Sequence, residues 1–187
     1  MSFSQRRLPH WRPDGKPLFL TWHLHGSLPH NRFPPPGALS AGKAFVWMDR
    51  YLDEARYGPN WLKRDELARI VVDALRYASD TLRYFDLSAY VVMPNHVHVL
   101  LLPLVDAGKL LHSVKGFSAR EANKLLARSG EPFWQRESYD HWVRNETEFE
   151  RIRRYIEDNP VRAGLAATLG EYPWSSAYAG NDAGMAG

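Results

Sequence analysis

The chain contains no cysteine in its 187 residues, so it can form neither disulfide bonds nor cysteine-ligated metal sites. Its apolar runs are short: the stretch 97–105 is far shorter than the roughly 20 residues that a membrane-spanning helix needs. The segment 1–7 lacks the apolar centre of a secretory signal. These absences argue against a disulfide-stabilised secreted domain and against a membrane protein, and we expect a cytoplasmic protein.

The composition is that of a globular protein with a mildly basic surface. Hydrophobic residues make up 44% and charged residues 24% of the chain, and the formal net charge is +3. The length predicts one domain, which we place at residues 17–178, between a basic flexible arm at 1–16 and a disordered tail at 179–187. Basic residues beside aromatic ones suit phosphate contacts and base stacking, although a solvated basic surface over core aromatics gives the same composition.

Hydrophobic periodicity indicates four strands and at least three helices. Runs of strand formers predict strands at residues 18–25, 87–93, 96–102 and 133–144. Helical spacing predicts helices at 65–82, 108–129 and 146–159, the last ended by Pro160, and an additional short helix at 44–55. Without that short helix the order is β, α, β, β, α, β, α. Its first six elements match an α+β fold, the ferredoxin-like split βαβ antiparallel sheet, here followed by an additional C-terminal helix.

Two histidines stand one residue apart in the third predicted strand. Successive side chains of a strand point to opposite faces, so His96 and His98 share a face, about 7 Å apart along the strand, while Val97 takes the other face. Both imidazoles could then converge on one cation. A lone His-x-His on a strand is more often structural than a pair of ligands, so the pattern by itself leaves both interpretations open.

A second group of chemistry-bearing residues lies in the last predicted helix. Residues four apart share a helical face, so Tyr155 and Asn159 project together. Arg151 and Arg154 make the setting cationic, and nearby cations favour a phenolate that can attack a phosphate. The simpler alternatives are a surface tyrosine among arginines and an asparagine that serves the turn before Pro160.

Two segments of the chain resemble motifs of a known family. Residues 91–101, VVMPNHVHVLL, resemble the metal-binding motif of the HUH single-tyrosine transposases, and residues 150–164, ERIRRYIEDNPVRAG, resemble the segment that carries their nucleophile. Residues 113–120 and 172–176 are similar to the second helix and the ending of that family. The likeness covers roughly residues 17–178, and within the family it points to the REP-associated tyrosine transposases.

The resemblance implies a role for each motif residue. His96 and His98 would bind the metal together with Asn159, and Tyr155 would be the nucleophile. The implied cofactor is Mg²⁺ or Mn²⁺. The implied reaction is cleavage of single-stranded DNA at a hairpin or palindromic repeat, through a 5′-phosphotyrosine with a free 3′-hydroxyl, followed by rejoining. Such a protein would be associated with the nucleoid when it is bound to DNA, and the implied fold is the ferredoxin-like sheet already reached from the element order.

Two other functions compete with this one. A descendant of a transposase could bind palindromic repeats without catalysis. A metallohydrolase could use the histidines to activate water, but the carboxylate that usually follows His-x-His is absent, because Val99 and Leu100 stand there. The sequence also leaves open whether one chain forms the active site or a homodimer exchanges the Tyr155 helix.

Several further residues are candidates for contacts with DNA. His23 and His25 form a second His-x-His on the first strand, which neighbours the third strand in this fold. We assign the metal to the pair on the third strand and expect His23 and His25 to contact DNA or to pack. The remaining candidate DNA contacts are Trp22, Lys115, Arg151 and Arg154. A core tryptophan and a solvated lysine are the alternatives for the first two.

Overall fold

A computed structural model describes residues 15–28 and 41–180. Its four strands, β1 (Leu18–His23), β2 (Phe85–Val92), β3 (His96–Pro103) and β4 (Tyr139–Trp142), form one sheet in the order β2-β3-β1-β4. The helices are α1 (Ala41–Asp53), α2 (Asp65–Arg76), α3 (Ala107–Leu125) and α4 (Glu146–Arg162). Since β3 lies between β1 and β2 and runs antiparallel to both, the predicted ferredoxin-like α+β sheet is confirmed. Most of the predicted arm and the end of the predicted tail lie outside the described residues.

One face of the sheet carries the larger core. Every second residue of β1, namely Leu18, Leu20 and Trp22, belongs to this core and is buried. The strand alternation of β3 adds Val97 and Val99 to the same face. Helices α2 and α3 cover it with the apolar stripes that their helical spacing predicts, which include Leu67, Val71, Leu75, Leu110 and Val114.

The opposite face of the sheet carries a smaller core and the candidate site. Phe19, Val91 and Leu100 belong to it, and α4 covers them with Ile152 and Ile156. Helix α1 adds an aromatic residue to the same cluster. The sheet is thus covered on both faces, by α2 and α3 on one and by α4 and α1 on the other. This second layer could not be predicted from the sequence, because the apolar stripe of a helix does not reveal which face of the sheet it covers.

Several element boundaries differ from the prediction. Pro160 does not end α4, which continues to Arg162, because a proline this close to the carboxyl end removes only one intrahelical N–H and its fixed φ is helical. The predicted strand at 133–144 is reduced to β4 and an isolated bridge between Leu24 and Trp134. The predicted helix at 65–82 consists of α2 followed by a π-helical turn over Tyr77–Thr81.

The segment after α4 returns to the edge of the sheet. The backbone N–H of Val92 donates to the carbonyl of Trp174 at 2.8 Å, and that of Ser176 donates to the carbonyl of Tyr90 at 2.9 Å. The Tyr172 hydroxyl donates to the carbonyl of Val92 at 2.9 Å. These bonds cover part of the β2 edge. Within the described part of the chain, no helix has both the length and the apolar character that crossing a bilayer requires.

Candidate active site

His96 and His98 lie at the start of β3, on the sheet face that α1 and α4 cover. Their Nε2 atoms are 3.1 Å apart, and both side chains are fully buried. The alternation of the strand brings the two imidazoles together as predicted, while Val97 between them belongs to the other core. Two imidazole nitrogens that approach this closely can share one cation.

The Nδ1 atoms indicate how the two rings are protonated. His96 Nδ1 is 2.7 Å from Asn95 Oδ1, and Asn95 Nδ2 donates to the Leu52 carbonyl at 3.1 Å. Because the amide nitrogen is committed to a carbonyl, the atom that faces His96 is an oxygen that only accepts, so Nδ1 carries the proton. His98 Nδ1 is 2.7 Å from the Thr21 hydroxyl, which can accept in the same way. Each Nε2 can then present a lone pair to a metal.

Helix α1 adds two carboxylates that sequence reasoning missed. Asp49 Oδ1 lies 3.0 Å from His98 Nε2, and Asp53 Oδ1 lies 3.6 Å from His96 Nε2. In the buried group of Asp49, His96 and His98, the ligand atoms all lie within 4.8 Å of one another, so the cluster could hold a metal ion. The signal available in the sequence was the i,i+4 spacing of the two aspartates within a predicted helix. No carboxylate follows His98 in the sequence, but α1 brings two carboxylates to the histidines in the folded chain.

Burial is the main cause of the pKa shifts of His96 and Asp53. It lowers the pKa of His96 well below the usual range, and the neighbouring His98 and His23 lower it further. Burial raises the pKa of Asp53 to about 6, and the nearby Asp49 acts in the same direction. A neutral imidazole is the form that binds metal, and a bound cation would favour the ionised carboxyl of Asp53.

Tyr155 faces this cluster from α4. Its ring centroid is 5.6 Å from that of His98 and 6.3 Å from those of Phe19 and Phe45. The guanidinium carbon of Arg162 lies 5.1 Å from the same centroid. The tyrosine is half-buried. The tyrosine and the histidines face one another within the chain that the structure describes.

Asn159 lies one helical turn after Tyr155, and its side chain is fully buried. Neither amide atom of Asn159 has a hydrogen-bond partner among the described residues. An unpaired buried polar group costs about 1–3 kcal/mol, which a bound ion would offset. The Oδ1 atoms of Asp49 and Asp53 likewise have no hydrogen-bond donor in the described ranges. Imidazole nitrogens with carboxylate and amide oxygens are a donor set that fits a divalent metal ion.

A groove of about 520 Å³ runs along α4 beside Tyr155. Arg151 and Arg154, the two predicted DNA contacts on this helix, line the groove and are exposed. Arg151 also contacts Glu148 at 3.4 Å. Exposed guanidinium groups of this kind suit contacts with phosphates. The other lining residues are Thr147, Glu150, Asp158 and Arg162.

The remaining two predicted DNA contacts have other surroundings. Trp22 packs against Trp134 in the core on the α2 and α3 side, where it is 1% exposed, so it offers no surface to a base and that expectation is corrected. Lys115 Nζ donates to two carbonyls and a hydroxyl of the segment 135–138, at 2.9, 3.3 and 3.1 Å. Burial lowers the pKa of Lys115 to about 8. The side chain of Lys115 therefore stabilises the loop before β4. It is neither freely solvated, as the alternative had it, nor free to contact a phosphate while these bonds are made.

The second His-x-His is divided between the interior and the surface. His23 pairs with His96 across the sheet, but its Nδ1 lies 2.8 Å from the Ser27 hydroxyl, and burial lowers its pKa to about 4. His25 follows the strand and is exposed. The cluster that could hold a metal includes neither of them. The geometry therefore favours the pair on β3 as metal ligands.

Comparison with known proteins by sequence gives consistent matches. The family model described as "Transposase IS200 like" matches residues 61–159, just over half of the chain. The REP-associated tyrosine transposase of Escherichia coli K12 is 28% identical over 122 residues, which are 61% of this chain and 69% of that protein. A Haemophilus influenzae relative is 28% identical over 103 residues, which are 49% of this chain and 58% of the relative.

Comparison by structure agrees with these matches. A solved structure of a REP-associated tyrosine transposase bound to a REP hairpin has a TM-score of 0.55 and 19% identity, covering 96% of this chain and 86% of that one. At this identity the likeness shows a common fold. The family model spans the first motif that carried the resemblance and residues 150–159 of the second, and the resemblance is confirmed. Helix α1 and its carboxylates lie before the matched segment.

Proposed function

Since this chain belongs to the IS200-like transposase family, we propose that it is a metal-dependent endonuclease and strand transferase for single-stranded DNA. Its substrate would be hairpin or palindromic repeat DNA, as the REP hairpin named for the solved relative suggests. The observation that supports the proposal is the 5.6 Å between the ring centroids of Tyr155 and His98, because it brings a phenol beside a cluster that could hold a metal ion. Such an enzyme would act in the cytoplasm, on nucleoid DNA.

The metal would be held by His96, His98 and Asp49, with Asn159 of α4 as a further ligand. We infer Mg²⁺ or Mn²⁺, because carboxylate and amide oxygens suit both ions and imidazoles are better ligands for Mn²⁺ than for Mg²⁺. When bound, the ion supplies a Lewis acid that polarises the phosphate and neutralises part of its charge. Coordination would also give the unpaired Oδ1 of Asn159 a partner.

Tyr155 carries the proposed covalent step. Its phenolic oxygen loses its proton and bonds to the phosphorus, while the bond from phosphorus to the 3′ oxygen breaks. The electron pair goes to that oxygen, which takes up a proton and leaves as a free 3′-hydroxyl. The product is a 5′-phosphotyrosine, and attack on it by a 3′-hydroxyl reverses the step and joins a strand. The transfer consumes neither water nor a nucleotide, because the phosphotyrosine retains the bond energy.

Other residues of the chain would orient the reacting groups. Phe19 and Phe45 lie edge-on to the Tyr155 ring, which restricts the directions in which its oxygen can point. Arg151 and Arg154 offer exposed cations along the groove, where a DNA backbone would follow α4. Binding through these arginines would weaken with added salt, since each phosphate contact releases counterions.

The test is the formation of a covalent adduct on a labelled single-stranded hairpin oligonucleotide with Mn²⁺, read on a denaturing gel. We expect Tyr155→Phe to abolish the adduct and to change hairpin affinity by less than about twofold, because only the attacking hydroxyl is removed. The matched control is Tyr77→Phe, which removes the hydroxyl of a tyrosine that is 57% exposed and follows α2. That control is expected to form the adduct as the wild-type protein does.

The same experiment separates the competing functions. Hairpin binding that persists in EDTA, without any adduct in Mn²⁺, would support a palindrome-binding protein without catalysis. Cleavage that leaves a 5′-phosphate and no adduct would indicate that water is the nucleophile, as in a metallohydrolase. An adduct that still forms on Tyr155→Phe would show that the nucleophile is assigned to the wrong residue.

A further inference from the structure

Arg162, the last residue of α4, contacts the ring of the proposed nucleophile. Its guanidinium carbon lies 5.1 Å from the ring centroid of Tyr155. That ring faces the metal-binding cluster, with its centroid 5.6 Å from the ring centroid of His98. The guanidinium therefore stacks on the ring that faces the metal-binding cluster. It is exposed and lines the groove beside α4, so a ligand in that groove can reach it.

The other charged groups around the groove have different environments. Arg151 contacts Glu148 at 3.4 Å, and Glu150 pairs with Arg153 at 2.8 Å. Arg154 and Asp158 line the groove. From α1, Asp49 faces His98. Among the described residues, Arg162 is the cation that stacks on Tyr155.

We propose that Arg162 is a further catalytic residue, whose guanidinium contacts the phosphate that Tyr155 attacks. This inference rests on the proposed role of Tyr155 as the nucleophile. A phosphate that Tyr155 attacks beside the metal-binding cluster comes close to the guanidinium of Arg162, because that group stacks on the Tyr155 ring and lines the same groove. A planar guanidinium can bond two phosphoryl oxygens at once and still stack on an aromatic ring.

We expect Arg162 to stabilise the transition state of the attack by Tyr155. Negative charge on the phosphoryl oxygens is redistributed as the tyrosine oxygen approaches, and a cation already in place lowers the barrier without reorganisation. The alternative is a purely structural role, in which a basic residue in the last turn of α4 stabilises the helix dipole. That role would change folding stability but not the rate of the step at saturating DNA.

The experiment measures single-turnover adduct formation on the hairpin oligonucleotide in Mn²⁺, at subsaturating and saturating DNA. Arg162→Ala is expected to lower the rate at saturation about 100-fold, the size of effect seen when one transition-state donor is removed. The half-saturating DNA concentration is expected to change much less. Arg162→Lys should recover part of the rate, since it keeps the charge and loses the planar fork. Added guanidinium ion should also restore part of the rate of Arg162→Ala.

Two further arginine variants serve as comparisons. Arg120→Ala removes an exposed arginine of α3 that also stacks on an aromatic ring, 5.9 Å from the centroid of Phe117, and is expected to behave as the wild-type protein. Arg154→Ala is expected to raise the half-saturating concentration more than it lowers the rate at saturation, because it would contact the DNA backbone.

The outcomes distinguish this inference from the proposed function. If the wild-type adduct depends on Tyr155 but Arg162→Ala keeps the rate at saturation within about twofold, the role of Arg162 is overturned and the function stands. If the wild-type protein forms no Tyr155-dependent adduct, both are overturned. Loss of the rate in Arg162→Ala with recovery in Arg162→Lys or by guanidinium ion supports the catalytic role.

Discussion

Asn95 connects three parts of the candidate site through one side chain. It stands between β2 and β3, its Oδ1 accepts from His96 Nδ1, and its Nδ2 donates to the Leu52 carbonyl of α1. It therefore sets the tautomer of one proposed ligand and the position of the helix that carries Asp49. In the sequence, an asparagine after a proline indicates a turn and nothing more, because the contact that matters most is made with a residue that only folding brings near.

We predict that Asn95→Ala lowers the free energy of unfolding by about 1–3 kcal/mol, because the buried Nδ1–H of His96 loses its acceptor. Mn²⁺ affinity should fall about 10- to 100-fold, as is typical when the partner of a ligating histidine is removed. Denaturant unfolding and calorimetric titration with Mn²⁺ measure the two effects. Asn123→Ala is the matched control, since it removes another buried amide, which donates to the Glu131 carbonyl at 2.7 Å, and should cost stability alone. Wild-type Mn²⁺ affinity in Asn95→Ala would contradict the prediction.

At the level of helices and strands, the sequence predicts those features that depend only on the spacing of neighbouring residues. The alternation of β3 and the stripe of α2 follow from periodicity, so the shared face of His96 and His98 could be predicted. The position of α1 could not be, because it depends on tertiary contacts such as the stacking of Phe45 on Tyr139 at 4.3 Å. Because the packing of α1 could not be predicted, the place of Asp49 beside His98 could not be predicted either. No local sequence pattern connects this aspartate with a histidine on a distant strand.

Helix α1 should respond to metal through Asp49. We predict that Mn²⁺ at 100 times its Kd stabilises the protein by about 2.7 kcal/mol, which raises the Tm by about 5–10 °C for a chain of this size. Asp49→Asn should lose most of this rise, because a neutral amide is a much weaker ligand for a divalent ion than a carboxylate. Thermal unfolding with Mn²⁺ and with EDTA measures the shift.

The control for this prediction is Asp73→Asn, which neutralises an exposed aspartate of α2 and should keep the full metal-dependent rise in Tm. If Asp49→Asn also keeps the full rise, Asp49 is not a ligand. The histidines and Asn159 would then remain as the proposed set.

In the whole molecule, two helical layers enclose one sheet, and the candidate site lies under the second layer. The α2 and α3 side packs an apolar core around Trp22, whereas His23, His96 and His98 are buried on the face of the sheet that carries Phe19. Burying an imidazole such as that of His23 makes folding sensitive to acid, because the charged form must give up solvation. The site that the fold encloses therefore affects the stability of the entire molecule.

His23 provides the clearest case of this coupling between pH and stability. Burial lowers its pKa from 6.5 to about 4, so the unfolded chain binds the proton first as the pH falls. The stability that depends on neutral His23 is fully present above about pH 6.5 and is lost as the pH approaches 4. Asp53 acts in the opposite sense, since its pKa is raised to about 6 and its contribution is lost as the pH rises through that value. The pH dependence of the wild-type protein alone therefore mixes both effects.

Substitution of His23 separates the two effects, because His23→Gln is neutral at every pH while Asp53 is unchanged. We predict that the difference in free energy of unfolding between the wild-type protein and His23→Gln, measured with denaturant in EDTA, becomes less favourable to the wild type by about 3 kcal/mol from pH 7 to pH 4. For His112→Gln, which replaces an exposed histidine of α3, the corresponding difference should stay constant. A constant difference for His23→Gln would mean that His23 is protonated as easily in the folded protein as in the unfolded chain, and burial would then not govern its charge.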